Sequence, residues 1–402
     1  DRVTPILATQ RGQRISTSRT SREHKPPPPP ATGADENRHI RYVCMCKCVC
    51  TALWVALLAA PVAAANDWRR WISQAADSLS HASRAELSLP RVDGGERLSP
   101  AELEAPLLGA RLSWLAYAEK RREVEAGLAL LGSGMELVRF SPQRDSRGAQ
   151  WLVARDAESG TLWVAFRGTA SLADVVHDLM AAPEQTGAGD AFHSGFLRAA
   201  RAAAEELREV VEAELRVRPC ERLALCGHSL GGALAMTLLG AGLLPCASGD
   251  AGAEDAPAEV LAFTYGSPAA FHGQLRGAAM RRVRAQSFVF GADAVPRLLG
   301  SEVPLLRAAA LSLGGKSSTG ALETLGGYAH WPGGELVYLD PAGGCARRVP
   351  RAQRDRVLHL HRAVHPDAAA HHKCYVRGLE RAAAPGGGLA WWQMVLGERG
   401  EI

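Results

Sequence analysis

Residues 221–232 read Glu-Arg-Leu-Ala-Leu-Cys-Gly-His-Ser-Leu-Gly-Gly, an apolar run that meets a glycine turn with a serine at its apex and then opens a helix through Met236 and Leu239. Leu223 to Cys226 is unbroken apolar sequence, the pattern of a strand covered on both faces. Ala233 to Met236, with Leu238 and Leu239, is apolar on most sides, so the helix is buried as well. Gly227 and Gly231 carry no side chain, which lets strand and helix pack closely while Ser229 sits on a strained turn with its hydroxyl presented to a reactant. This is the form of a nucleophile elbow, with a structural turn as the bland reading. In a chain holding 41 glycines the Gly-x-Ser-x-Gly spelling arises easily by chance, so the flanking apolar pattern carries the argument.

The neighbouring sequence supplies the rest of an α/β domain. Ser99 is placed to cap a helix with Pro100 at its first position, continuing to about residue 119, with Pro106 expected to kink or restart it. Residues 136–140, 150–155 and 161–166 are short apolar runs separated by turn formers, and read as neighbouring strands. A long helix over 195–217 leads to the elbow strand. Beyond the elbow helix come strand 260–265, helix 272–283, strand 286–290, an irregular stretch at 297–326, strand 335–339 and a helix over 368–382. Strands alternating with helices predict a mostly parallel sheet with helices on both faces.

The termini read differently. Residues 1–44 are polar and broken by the run Pro26 to Pro30, and are set apart from the fold. Met45, Lys47, an apolar run from Val49 to Val62 and Ala63-Ala64-Ala65 have the form of a secretory signal, with an uncleaved membrane anchor as the rival. Residues 1–65 hold nine Lys or Arg and four Asp or Glu; taking that +5 from the chain's net +4 leaves −1 for the body. The basic balance disappears, and with it the compositional case for nucleic acid. A helical extension over 66–134, the main domain over 135–385 and a tail over 386–402 complete the expected organisation. Five cysteines lie in the body (Cys220, Cys226, Cys246, Cys345 and Cys374); none has zinc-ribbon spacing, and an oxidising compartment would allow up to two disulfides.

A serine nucleophile needs a base, a carboxylate to orient it and donors for the oxyanion. Asp293 lies just past the carboxyl end of a predicted strand, where an open α/β sheet places its site. The N–H of Leu230, directly after the nucleophile, is one oxyanion donor, and Thr169, in the glycine turn after strand 161–166, is the candidate for the other. Six histidines follow Asp293: His330, His359, His361, His365, His371 and His372. A metal-binding reading of this cluster lacks a carboxylate or cysteine to complete the set.

Phe166-Arg167-Gly168-Thr169, Phe192-His193-Ser194-Gly195-Phe196, Gly227-His228-Ser229-Leu230-Gly231-Gly232, Tyr265-Gly266-Ser267-Pro268 and Asp293-Ala294-Val295-Pro296-Arg297-Leu298 occur in the order of the class 3 (fungal-type) lipases, and residues 135–380 resemble that family. The resemblance implies an α/β-hydrolase fold with Ser229 as nucleophile, Gly227, His228 and Gly231 building its elbow, Asp293 as the acid, and Thr169 with Leu230 as the oxyanion pair. His372, in His372-Lys373-Cys374-Tyr375, matches the family's catalytic histidine ahead of an aromatic residue, with His371 next in order; His330 matches a structural position. Residues 171–179 fall where the family carries its lid. The expected reaction is hydrolysis of acylglycerol esters through an acyl-enzyme, without a cofactor, on a lipid ester substrate at a membrane or droplet surface. A phospholipase A1, a galactolipid lipase, a feruloyl-type esterase and a lipase-like binding or signalling protein without turnover are the alternatives. A secreted or endomembrane location follows from the signal, with a plastid-type bipartite signal as the other address. Gly-Ser-Pro-Ala-Ala at 266–270 and the long 297–326 segment depart from the family pattern and leave substrate preference open.

Overall fold

The computed structural model describes residues 89–142, 149–168, 183–186, 190–244, 257–272, 283–297, 328–331, 334–359, 365 and 367–384. The expected signal, Thr169, the 171–179 lid, Cys246, His361 and most of the 297–326 segment lie outside the described residues.

Eight strands form the main sheet: β1 (Met135–Ser141), β2 (Trp151–Asp156), β3 (Thr161–Phe166), β6 (Arg222–His228), β7 (Glu259–Tyr265), β9 (Val283–Phe290), β11 (Glu335–Asp340) and β12 (Cys345–Arg348), in the spatial order β1-β2-β3-β6-β7-β9-β11-β12. The five strands from β3 to β11 are mutually parallel, while β1, β2 and β12 add antiparallel edges. The sheet is the α/β-hydrolase type expected. Its strands alternate between two apolar cores. Val164, Leu223, Leu225, Val260 and Ala262 face one side, under the helices α3 (Ser194–Val217) and α4 (Leu230–Gly240). Trp163, Ala165, Ala224, Cys226, Phe263 and Tyr265 face the other, under α1 (Pro100–Leu115) and α7 (Tyr375–Ala383), with the short α2 (Arg121–Ala129) beside β1. Period-two alternation with both faces apolar is why these strands lack any polar side.

Helix α1 begins as expected. Ser99 accepts from the Glu102 N–H, and the Glu102 carboxylate accepts from the Ser99 N–H at 2.8 Å, a reciprocal cap. The helix does not restart at Pro106 but runs through it without the N–H that would have reached Glu102, and the Tyr265 hydroxyl donates to the Pro106 carbonyl.

One expected helix is split, and one sheet is new. Of the helix expected over 272–283, residues 273–282 lie outside the described residues, while its first residue ends β8 (Phe271–His272) and its last starts β9 at Val283. β8 belongs to a second sheet that sequence patterning did not anticipate, built with β4 (Pro183–Gln185), β5 (Ala191–His193) and β10 (Tyr328–Ala329) in the order β10-β8-β5-β4. Strands of two or three residues are too short to show a period. The helix expected over 368–382 is two helices, α6 (Ala368–His372) and α7, parted at Lys373 and Cys374. A short α5 (Arg354–Leu358) precedes them. Among the described residues Cys220, Cys226, Cys345 and Cys374 are free thiols, and no helix is long and apolar enough to cross a membrane.

Candidate active site

Strand β6 ends at His228, and α4 begins at Leu230, so Ser229 is the whole connection. Its backbone has φ 55° and ψ −129°, and among the described residues it is the only non-glycine with positive φ. Holding a side chain there costs on the order of 1–3 kcal/mol and persists only where the surroundings dictate it. They do: the Ser229 N–H donates to the Tyr265 carbonyl at 2.8 Å. A Cβ on Gly227 would lie 2.2 Å from the Gly231 carbonyl carbon, and one on Gly231 would lie 2.5 Å from the Phe166 carbonyl oxygen. Only glycine permits this crossing of strand, turn and helix.

Ser229 itself is fully buried, against the expectation of an exposed hydroxyl, and its Oγ has no hydrogen-bond partner among the described residues. The crowding is visible in the flanking loop: a Cβ on Gly168 would sit 2.9 Å from the Ser229 Cβ and 2.5 Å from the His228 carbonyl oxygen. Leu230, the first residue of α4, holds its N–H at a helix start, where amides have no intrahelical partner.

Asp293 directly follows the Gly291-Ala292 turn that ends β9 and is fully buried. Its carboxylate collects three donors. His372 Nδ1 lies 2.9 and 3.0 Å from the two oxygens, the Tyr375 hydroxyl donates at 2.5 Å, and the Val295 N–H donates at 2.9 Å. Burial alone would push the carboxyl up; the adjacent His372, with its hydrogen bond and those of Tyr375 and Val295, outweighs burial and holds Asp293 below its ordinary value. Burial and the neighbouring Asp293 charge push the Tyr375 phenol up, so it stays a donor, and it accepts from the Phe290 N–H in turn. Arg297, fully buried, donates to the carbonyls of Gly291, Asp293 and Val357 and so clamps the turn that presents Asp293.

The break between α6 and α7 puts His372 at a helix end with its ring turned to Asp293. His371, the next choice, faces elsewhere: its Nδ1 accepts the Ala292 N–H at 3.0 Å, and its ring packs edge-on against Phe290. Burial lowers its pKa, which keeps it an acceptor. His330 Nε2 donates to the Pro296 carbonyl at 3.2 Å, a structural contact. His365 Nδ1 accepts from the Asp367 N–H, and His359 lies on the exposed end of α5. Among the described residues no cluster of three His, Cys, Asp or Glu is disposed to hold a metal ion.

Sequence reasoning passed over two residues here. Arg297 stood in a quoted motif without a role, and its buried guanidinium had no sequence signal beyond that motif. Tyr117 had none: its hydroxyl lies 2.9 Å from His228 Nδ1 and accepts the Gly168 N–H at 3.1 Å.

The comparisons with known proteins agree with this fold. Two structures of the Rhizomucor miehei lipase propeptide complex are similar to it, a deletion mutant at TM-score 0.53 and the native form at 0.51, each 19% identical. They cover 70% and 71% of this chain and 81% and 84% of their own. No curated protein sequence matches the chain. The lipase (class 3) family model matches residues 163–302, a stretch running from β3 through the elbow to Asp293 and Arg297, so that part of the chain is similar to the class 3 lipases.

Proposed function

We propose that this protein hydrolyses the carboxylic ester bonds of acylglycerols through an acyl-enzyme formed on Ser229. The observation that carries the reading is the pairing of a strained elbow serine with a buried Asp293–His372 hydrogen bond near a neighbouring strand end, at the carboxyl edge of a parallel sheet. With Nδ1 committed to Asp293, the remaining nitrogen of His372, Nε2, takes the Ser229 proton as the hydroxyl oxygen attacks the acyl carbonyl. Asp293 keeps the tautomer and favours the imidazolium that forms. The Leu230 amide and Thr169 receive the oxyanion, and the imidazolium returns its proton to the departing alcohol. Water, activated by the same nitrogen, then cleaves the acyl-enzyme and frees the fatty acid.

Ser229 is fully buried, and a lid at residues 171–179, which the resemblance to the family implies, would favour a lipid interface over a freely soluble ester. The apolar run at 49–62 adds delivery to the secretory route to the proposal, tested by whether a reporter fused behind residue 65 enters microsomes and is trimmed there.

The decisive experiment is hydrolysis of a chain-length series of acyl esters and of emulsified triacylglycerol, with Ser229→Ala in parallel. Turnover that rises with acyl length and is lost in the variant is the expected result. Absence of turnover on every ester, or turnover that survives Ser229→Ala, overturns the reading and leaves a binding protein on a lipase fold.

A further inference from the structure

The site contains a second hydrogen-bonded chain, separate from the one that joins His372 to Asp293, that the triad does not use. The Gly168 N–H donates to the Tyr117 hydroxyl at 3.1 Å; that hydroxyl lies 2.9 Å from His228 Nδ1; His228 Nε2 lies 2.7 Å from the backbone carbonyl of His372. The direction of every bond is settled by chemistry. An amide can only donate and a carbonyl can only accept, so the phenol accepts from Gly168 and spends its one hydrogen on Nδ1, and the imidazole carries its proton on Nε2 and gives it to His372. Both ends are main-chain groups. One belongs to the loop that follows β3 and carries the proposed oxyanion residue Thr169; the other belongs to the residue proposed as general base.

We propose that Tyr117 and His228 form a positioning strut that sets the distance between the oxyanion loop and the catalytic histidine. The inference rests on the triad reading above. Neither residue is assigned a step in the reaction.

The strut is itself braced. Tyr117 follows α1 and is held in place by its turn: Gln150 Nε2 donates to the Ala116 and Ala118 carbonyls at 2.7 and 2.6 Å, and the Arg167 guanidinium, bound to Gln150 Oε1, lies over the Tyr117 ring at 5.4 Å. Trp114, one turn earlier on α1, packs edge-on against His228. His228 and His372 rings lie 4.5 Å apart, so a charged His228 would oppose the imidazolium that forms on His372 during the reaction. Burial first, and the adjacent His372 second, hold His228 down to about 3, against the opposing effects of the His372 carbonyl and Asp293. The ring is neutral at working pH, and it supports its neighbour without repelling it. Burial likewise raises the Tyr117 phenol, which keeps its hydrogen.

The strut separates from simple packing by what its variants do. Tyr117→Phe removes the hydroxyl and leaves the ring; His228→Asn retains a group near Nδ1 and loses the donor to His372; His228→Gln places a donor near Nε2. Loosening the base is expected to lower kcat about 10-fold in Tyr117→Phe and His228→Asn, with KM within about twofold, and to slow covalent labelling of Ser229 by a fluorophosphonate by the same factor. The double variant is expected to fall no further than either single one, because a chain cut twice is cut once, and His228→Gln is expected to recover most of the loss. Additive losses, an effect confined to KM, or equal rates for His228→Asn and His228→Gln would overturn the strut. A long-range 1H–15N spectrum of the wild-type protein tests it without any variant: His228 is expected as the Nε2–H tautomer with no titration between about pH 5 and 8, the range in which an ordinary histidine titrates, and an Nδ1–H tautomer would overturn it. Wild-type protein that neither turns over esters nor takes the label removes the triad and the strut together; active wild type with unaffected variants removes the strut alone.

Discussion

At the scale of single residues, the proposed chemistry rests on a carboxylate that is better supplied with donors than an isolated aspartate would be. Asp293 binds His372, Tyr375 and Val295, and each contact favours the charged form. Asp293→Asn keeps the shape and reverses the requirement on Nδ1, which must then accept, so the proton moves to the nitrogen that should face Ser229. The expected loss in kcat for ester hydrolysis is about 10⁴-fold. Tyr375→Phe removes one neutral donor of three and is expected to cost far less, about 10-fold, with the acid intact. Comparing the two in one stopped-flow series separates tautomer control from general support; equal losses would show that the phenol does more than hold the carboxylate. Much of this cluster was legible beforehand, because Ser229, Asp293 and His372 fall in motifs whose order is itself information. The choice between His371 and His372 was not, since adjacent residues on a helix differ only in direction, and direction here depends on the α6–α7 break at Lys373. Tyr117 was invisible for another reason: it is 111 residues from the histidine it meets, in a stretch with no motif.

At the scale of elements, α1 does two jobs that its sequence shows only in part. Its cap and its apolar residues announced a helix, and Leu103, Leu112 and Leu115 are buried against the sheet face that carries Trp163 and Tyr265. Its second job, delivering Trp114 and Tyr117 to the elbow, depends on where the sheet lies beneath it. Leu112→Ala opens a cavity under α1 and is expected to cost about 3 kcal/mol in urea unfolding. Because the same helix anchors Tyr117, kcat is expected to fall as well, whereas Leu239→Ala, buried on the other face within α4 and away from Tyr117, is expected to cost similar stability with a different kinetic profile. Matched kinetics for the two variants would argue that α1 only covers the sheet. Apart from the half-exposed edge strand β1, the strands that sequence patterning recovered are those buried on both faces. The ones it missed are β4, β5, β8 and β10, with two or three residues each, and β12, whose Arg347 and Arg348 hid a hairpin partner of β11.

At the scale of the whole molecule, the same burial that serves the site ties the fold to pH. Burial pushes His228 down to about 3 and His330 to about 4, each from an ordinary 6.5, so both are neutral in the folded protein where the unfolded chain would protonate them. The unfolded state therefore binds more protons between pH 6.5 and about 4, and the linkage relation makes stability fall as pH falls through that window and level off above it. Asp293 acts lower down. Its pKa is depressed from 3.8, so the stability gained from its ionised form is complete above that value and is lost only as pH drops below it. Urea unfolding midpoints are expected to be flat between about pH 7 and 8 as far as these groups are concerned, to decline from about 6.5 toward 4.5, and to drop further below about 4. His330→Gln can keep a donor for the Pro296 carbonyl without a titrating ring, so it is expected to shallow the decline between about 6.5 and 4.5 while leaving the step below about 4 in place. A decline unchanged in His330→Gln would remove His330's part alone, whereas a midpoint that rises on acidification would mean that both rings gain protons in the folded protein. The neutral His228 on which the strut depends would then lose its support.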